Sequence, residues 1–289
     1  MKAAMNVSPR WHAALHILAI TSVMCCVAAG RTSAQGNQSM SNQGNESMSK
    51  LPNIVLVHGA WADGSSWNAV IQRLQKAGYE ASAVQLTLSS FDEDLERTRA
   101  LLAAQSGPTL LVAHSFGGAI ITQLGADAPN VIGLVYESAF APDEGETMKA
   151  ILSQPPQPAG AAAIHPDARG FLWLEPDGYV KFFAPDVPPA EARVMAAVQK
   201  PIAASVLLGE TPFGPPAWKS FPTWYLVTTS DQMLPPDAQR FFAKRMGATV
   251  TSVAGSHAAM VSHPDAVADF IVKAARAAES RAMVGADRK

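Results

Sequence analysis

The sequence predicts an α/β domain: a mostly parallel central sheet with helices on both faces and a lid inserted between about Phe140 and Ser220. Three observations carry this. From Leu51 onward, short runs of branched apolar residues alternate with stretches whose apolar residues recur at helical spacing. That alternation builds a parallel sheet, whose strands are covered on both faces and therefore read as nearly continuous apolar runs. One such run, "PTLLVAHS", passes straight into "FGGAI", where paired glycines let a following helix lie close to the sheet.

In chain order, "NIVLVHG" reads as the first buried strand. The stretch "SSWNAVIQRLQKAGY" follows as a helix with Trp67, Val70, Ile71 and Leu74 on one face. "EASAVQL" suits the next strand, and Ser90 with Glu93 forms a capping-box pair opening a helix through Leu95, Leu101 and Leu102. "PTLLVAHS", "FGGAIITQLGADA" and "VIGLVYESA" continue as strand, helix and strand. The rhythm then stops. The interval from about Phe140 to Ser220 holds "QPPQP", "DVPP" and "FGPP" together with Phe171, Trp173, Phe182, Phe183 and Trp218, a composition suited to a lid whose apolar lining shapes a pocket. It resumes with the strand "TWYLVTTSD", the helix "PDAQRFFAKRMGA", the strand "TVTSVAG" and the helix "DAVADFIVKAARAAES", with Pro264 at its first turn and "RAMVGADRK" as a frayed end.

The first 34 residues differ in kind. Lys2 and Arg10 precede the apolar run "AALHILAITSVMCCVAAG", and "TSA" ending at Ala34 offers the small residues of a cleavage site, so residues 1–34 read as a secretory signal peptide and the mature protein as secreted or periplasmic. A retained anchor is the alternative, but the apolar run only just reaches spanning length. The polar, partly repetitive "QGNQSMSNQGNESMSK" over residues 35–50 is a linker, and residues 51–289 form the domain. Cys25 and Cys26 both lie in the leader, so the mature chain has no disulfide framework, thiolate metal site or cysteine nucleophile. Loss of Lys2, Arg10 and Arg31 moves the formal charge from −2 to −5, which calls for no nucleic-acid partner.

A serine hydroxyl attacks only when a base takes its proton, an acid orients that base, and donors receive the charge that develops on the substrate oxygen. Each part has a candidate. Ser115 stands where strand gives way to helix, with Ala113 in place of the glycine usual two positions earlier; its single methyl is a tolerable departure. His257 in "VAGSHAAM" follows the last strand and is favoured as base over His263, which abuts Pro264 and helps to start the last helix. Asp231 in "TTSDQMLPP" ends the preceding strand and is favoured as the acid, with Asp143 in "SAFAPDEGET" as the alternative. The backbone N–H groups of Ala60 and Phe116 suit the oxyanion hole. His58 reads as a brace of the oxyanion turn, and His114 as packing or pocket wall. No metal site and no phosphate-cradling glycine signature is evident.

With these residues in place, the chain from about Leu51 to Ser280 resembles the α/β-hydrolase fold superfamily. "LVHGAW", "AHSFGG", "SDQMLPPDAQR" and "GSHAAMVSHP" are most similar to the branch containing plant methyl esterases, hydroxynitrile lyases and small bacterial esterases, some of which act on pyrethroid-type esters. The lyases of that branch carry a threonine after the oxyanion-loop histidine and a lysine after the catalytic histidine; Gly59 and Ala258 stand there, which disfavours lyase chemistry. The related dehalogenases use an aspartate where this chain has Ser115. The resemblance implies a carboxylesterase that needs no cofactor and takes a small-molecule ester; the lid's aromatics point to a small to medium, apolar or aromatic one, and removal of the leader leaves no membrane association. A receptor-like binder of the same fold with little turnover, and a cofactor-free oxygenase or C–C hydrolase, are the alternatives.

Overall fold

The computed structural model describes residues 51–286, apart from 126, 127, 129 and 155. The leader and the polar linker expected from the sequence lie outside the described residues. The first strand, β1 (Asn53–Val57), is buried along its whole length. A 3-10 turn, Gly64–Trp67, leads into α1 (Asn68–Lys76), which buries Val70 and Leu74 against the sheet. Gly78 ends that helix at φ +89, a conformation open to glycine at no steric cost, and Tyr79 N–H reaches back to the Leu74 carbonyl.

The second strand, β2 (Ala81–Ala83), is shorter than "EASAVQL" suggests. Beyond Val84 the backbone is taken over by a side chain: Leu86 N–H donates to Nε2 of His58 instead of to a neighbouring strand. At α2 (Phe91–Ala103) only half of the expected capping box forms. Ser90 Oγ accepts the Glu93 N–H at 3.4 Å, but the Glu93 carboxylate turns to Arg97, one helical turn on. Then come β3 (Thr109–His114), α3 (Gly117–Thr122) and β4 (Val131–Glu137).

After β4 the chain leaves the sheet. It forms α4 (Met148–Leu152), β5 (Ile164–Pro166) and β6 (Phe171–Leu174), then α5 (Pro176–Gly178) running into a wide helical turn, Tyr179–Phe183. α6 (Pro189–Val198), β7 (Ile202–Ala203) and α7 (Ala204–Leu207) complete this lid, in which β5, β6 and β7 make a small antiparallel sheet.

The chain returns through β8 (Thr223–Thr228), α8 (Pro236–Arg245), β9 (Thr249–Val253), α9 (Ala259–Ser262) and α10 (Pro264–Ala286). Pro264 opens α10, but the helix runs on past Ser280, where the sequence suggests fraying. No glycine or proline interrupts "RAMV", so the helical hydrogen bonding continues. Its buried alanines, Ala274, Ala275 and Ala278, let it lie close against β4, where a Cβ on Gly133 would stand 3.4 Å from that of Ala278.

All six main strands are parallel, in the order β2-β1-β3-β4-β8-β9. The order reverses beside β1, and β3 sits at the centre between β1 and β4. The carboxyl ends of such strands, near the reversal, are where open parallel sheets place their sites.

Candidate active site

Ser115 is the residue that joins β3 to α3. It sits at φ +52, a left-handed conformation that costs a non-glycine residue about 1 kcal/mol or more and is held only by surrounding contacts. Those contacts are present: Ser115 N–H donates to the Glu137 carbonyl at 3.3 Å, and its carbonyl accepts Gly118 N–H at 3.0 Å and Phe140 N–H at 3.1 Å. The turn is so tight that a Cβ on Gly118 would lie 2.2 Å from the Phe140 carbonyl oxygen. Ala113, the departure from the usual glycine, is fully buried in the ladder opposite Val57 and Tyr136, where its methyl is accommodated.

The structure brings Ser115, His257 and Asp231 together. Ser115 Oγ lies 2.9 Å from His257 Nε2, and His257 Nδ1 lies 2.7 Å from Asp231 Oδ2. A carboxylate only accepts, so Nδ1 carries the ring proton and Nε2 is left to accept from the serine hydroxyl. Asp231 is fixed in turn by five donors: Oδ1 takes the N–H groups of Met233 and Leu234, and Oδ2 takes His257, Thr228 Oγ1 and Gln239 Nε2. Ser138 Oγ, 2.6 Å from Thr228 Oγ1, extends this network by one hydroxyl.

The neighbouring histidines do other work. His58 Nδ1 donates to the Gly59 carbonyl at 2.8 Å while Nε2 accepts from Leu86, bracing the loop that carries Ala60. Burial pushes its pKa down to about 4, so it stays neutral. His114 Nε2 donates to the His257 carbonyl at 2.9 Å, and burial drives its pKa well below the ordinary value. It therefore fixes the backbone of His257. Asp143 pairs with Lys219, and His263 bonds Ser262 Oγ and lies 3.6 Å from Asp186; neither reaches Ser115.

Several contributors were not legible as site residues. Gln239, Thr228 and Ser138 are polar residues in strand, loop and helix contexts, and only the fold places them around Asp231. Asp186, in the lid, accepts the Ser256 N–H at 2.8 Å and also bonds its hydroxyl, tying the lid to the residue before His257. Glu137, at the end of β4, is buried with no side-chain partner for either carboxyl oxygen and only a weak backbone contact from Met260. Burial, with the nearby charge of Asp231, pushes its pKa up to about 8. A carboxylate at the end of a strand adjoining the serine strand was the available signal.

A cavity of about 300 Å³ opens on these groups. Ser115, His257, Ala60 and Phe116 all line it, so the two expected oxyanion donors share a space with the serine. The lid contributes mainly aliphatic walls, among them Leu152, Ile164, Leu172 and Leu207, where the sequence pointed to aromatics. The lid aromatics are used as structure instead. Phe183 packs edge-on against the His257 ring at 5.0 Å and stacks on Tyr179 at 4.5 Å, while Trp173 and Trp218 donate to Asp167 and to the Pro142 carbonyl. Ring polar atoms and long side chains found partners within the lid, which sequence composition does not disclose. Trp61, whose indole N–H donates to the Leu172 carbonyl, joins the loop carrying Ala60 to the lid. Among the described residues, no group of three or more His, Cys, Asp or Glu is placed to hold a metal ion.

Against known proteins, the chain is 29% identical over 272 residues to a pyrethroid hydrolase of Sphingobium wenxiniae, covering 82% of this chain and 93% of that one. It is 33% identical over 125 residues to a carbendazim hydrolyzing esterase of Nocardioides sp., a match spanning 37% of this chain and half the length of that relative. Among solved structures, a pyrethroid hydrolase from Sphingobium faniae superposes with a TM-score of 0.68 at 26% identity, covering 78% of this chain and 98% of the other. The sequence profile of the alpha/beta hydrolase family matches residues 54–270. With that match across most of its length, and with a parallel sheet carrying a strained serine turn at its centre, the chain belongs to the alpha/beta hydrolase family.

Proposed function

We propose that this protein is a carboxylic ester hydrolase working through an acyl-enzyme on Ser115. The observation that carries the reading is the line from Ser115 Oγ to His257 Nε2 to Asp231, at 2.9 and 2.7 Å, opening into an apolar cavity. The names of the relatives, a pyrethroid hydrolase and a carbendazim hydrolyzing esterase, agree with it.

In the first half-reaction His257 Nε2 takes the Ser115 proton as Oγ attacks the ester carbonyl. The N–H groups of Ala60 and Phe116 receive the oxyanion, and Asp231 stabilises the imidazolium. Collapse of the tetrahedral adduct expels the alkoxide, which takes the proton from His257 and leaves as the alcohol. In the second half-reaction water gives a proton to His257 and attacks the acyl-enzyme; the carboxylic acid departs and Ser115 Oγ regains its proton. No step requires a cofactor.

The cavity's size and aliphatic walls favour an uncharged, apolar ester of small to medium size. Gly59 argues against the lyase variation, because a Cβ there would meet the Ser115 Cβ at 2.6 Å and the His114 ring at 3.0 Å. Export is part of the proposal, on the strength of residues 1–34 alone.

The test is hydrolysis of p-nitrophenyl esters from acetate to decanoate by the protein and by its Ser115→Ala variant. A loss of about ten-thousand-fold or more in the variant is expected. Equal rates in the two proteins, or no hydrolysis of any ester by the parent, would overturn the reading.

A further inference from the structure

The cavity at Ser115 has a larger neighbour. A second, mainly apolar chamber of about 510 Å³ lies between α4 of the lid and α8. The two share five wall residues: Phe140 after β4, Leu152 and Pro158 from the lid, and Met233 and Leu234 from the loop that carries Asp231. Two other cavities have no such relation. One beneath Trp61 shares only that residue with the catalytic cavity, and one beside Phe213 shares none.

The catalytic cavity, at about 300 Å³, is at the lower end of the range for small-molecule sites. An ester too long for it needs space beyond its walls, and the wall shared with the second chamber is the one that backs onto a larger apolar space. That wall is adaptable. Met233, an unbranched thioether, is part of it, and such side chains re-pack at low cost. Beyond the wall, α4 contributes Ala150 and Ile151, and α8 contributes Ala238, Phe241 and Phe242. Phe241 is 58% exposed, a large apolar surface left open to water. The charges at the edge are already engaged: Glu146 pairs with Arg245 at 2.8 Å, and Asp237 with Arg240 at 3.0 Å. The chamber therefore suits an uncharged group.

We propose that this second chamber is a remote subsite of the esterase site, receiving an uncharged apolar group, aromatic or branched, at the far end of an ester whose carbonyl lies at Ser115. The proposal rests on the esterase reading and extends it to two-part, elongated substrates. The group beyond the wall makes no contact with the reacting atoms; its burial supplies binding energy to the chemistry at Ser115.

Two variants fill the chamber from opposite sides, Ala150→Trp on α4 and Ala238→Trp on α8. Ala190→Trp, on the exposed start of α6, is the control. The readout is the ratio of kcat/KM for a p-nitrophenyl phenylhexanoate bearing its ring at the chain end to kcat/KM for p-nitrophenyl acetate. Both filled variants are expected to lower that ratio about tenfold, the scale of losing burial for one ring, and the control to leave it unchanged. A ratio within about twofold of the parent's in both filled variants overturns the subsite.

Calorimetry with 7-phenylheptan-2-one, the corresponding methyl ketone with its ring at the chain end, which is not hydrolysed, separates this from the esterase reading. Binding about tenfold weaker in Ala238→Trp than in the parent supports the chamber even if no ester is hydrolysed, whereas equal binding overturns it even if acetate is hydrolysed.

Discussion

At Glu137 a carboxyl is buried beside Asp231 with only a weak backbone contact from Met260 to offset the burial, and its pKa rises to about 8. The folded protein keeps that proton while the unfolded chain releases it near the ordinary 4.5. The resulting stability is fully present below about pH 4.5 and is lost progressively as pH climbs to about 8, a change of a few kcal/mol at about 1.4 kcal/mol per unit. Glu137→Gln, which cannot ionise, should therefore gain on the parent as pH rises; urea unfolding at about pH 5 and about pH 8 checks this, and parallel curves would refute it. Asp231 is the contrasting case, a buried carboxyl whose two oxygens are met by five donors. In Asp231→Asn an amide N–H₂ must face either those donors or His257, so kcat is expected to fall about a thousandfold or more together with the melting temperature. A variant with lowered stability and unimpaired kcat would remove Asp231 from the proton relay. Ser115, His257 and Asp231 could be nominated from the sequence because the proposed chemistry needs each residue type at a set place along the chain, and the structure brings the three together. Glu137, Gln239 and Thr228 could not, because what defines them is the direction of a side chain inside the fold.

Elements set the tolerances within which these residues work. The approach of α3 to the chain after β4 leaves no room for a methyl at position 118, so Gly118→Ala should cost about 3 kcal/mol or more and shift Ser115 from His257. Lower soluble yield and a depressed kcat are the expected readings, and a fully active, equally stable variant would contradict the close approach. The lid is fastened to the loop carrying His257 through Asp186, which holds both the N–H and the hydroxyl of Ser256. Asp186→Ala should lose about 1–2 kcal/mol of stability and about tenfold in kcat/KM, measured by urea unfolding and p-nitrophenyl acetate hydrolysis. The order and type of the sheet elements were readable from apolar periodicity, because buried parallel strands and amphipathic helices have different periods. The inside of the lid was not. Its aromatic residues signalled an apolar element correctly, but which of them faced a pocket depended on local bonds such as Trp173 to Asp167 and Trp218 to Pro142. The short β2 shows the same limit, since the His58 ring replaces the next strand bond.

For the molecule as a whole, the proposed leader predicts a mature chain beginning after Ala34. Intact-mass measurement of the protein recovered outside the cytoplasm of a secreting host checks this, and full-length protein in that fraction would refute it. No helix among the described residues is long and apolar enough to cross a membrane. The bond between Ser115 and His257 joins positions 142 apart in the chain, and the one between His257 and Asp231 joins positions 26 apart. Loop-closure entropy makes such distant pairings late events in folding. A nascent chain that has not yet delivered β9 and the histidine loop holds Ser115 without His257 and, on the proposed mechanism, stays chemically silent however much of the sheet has formed. Regain of activity after dilution from denaturant should accordingly lag the recovery of helical signal, which makes turnover a clock for the last contact the chain closes.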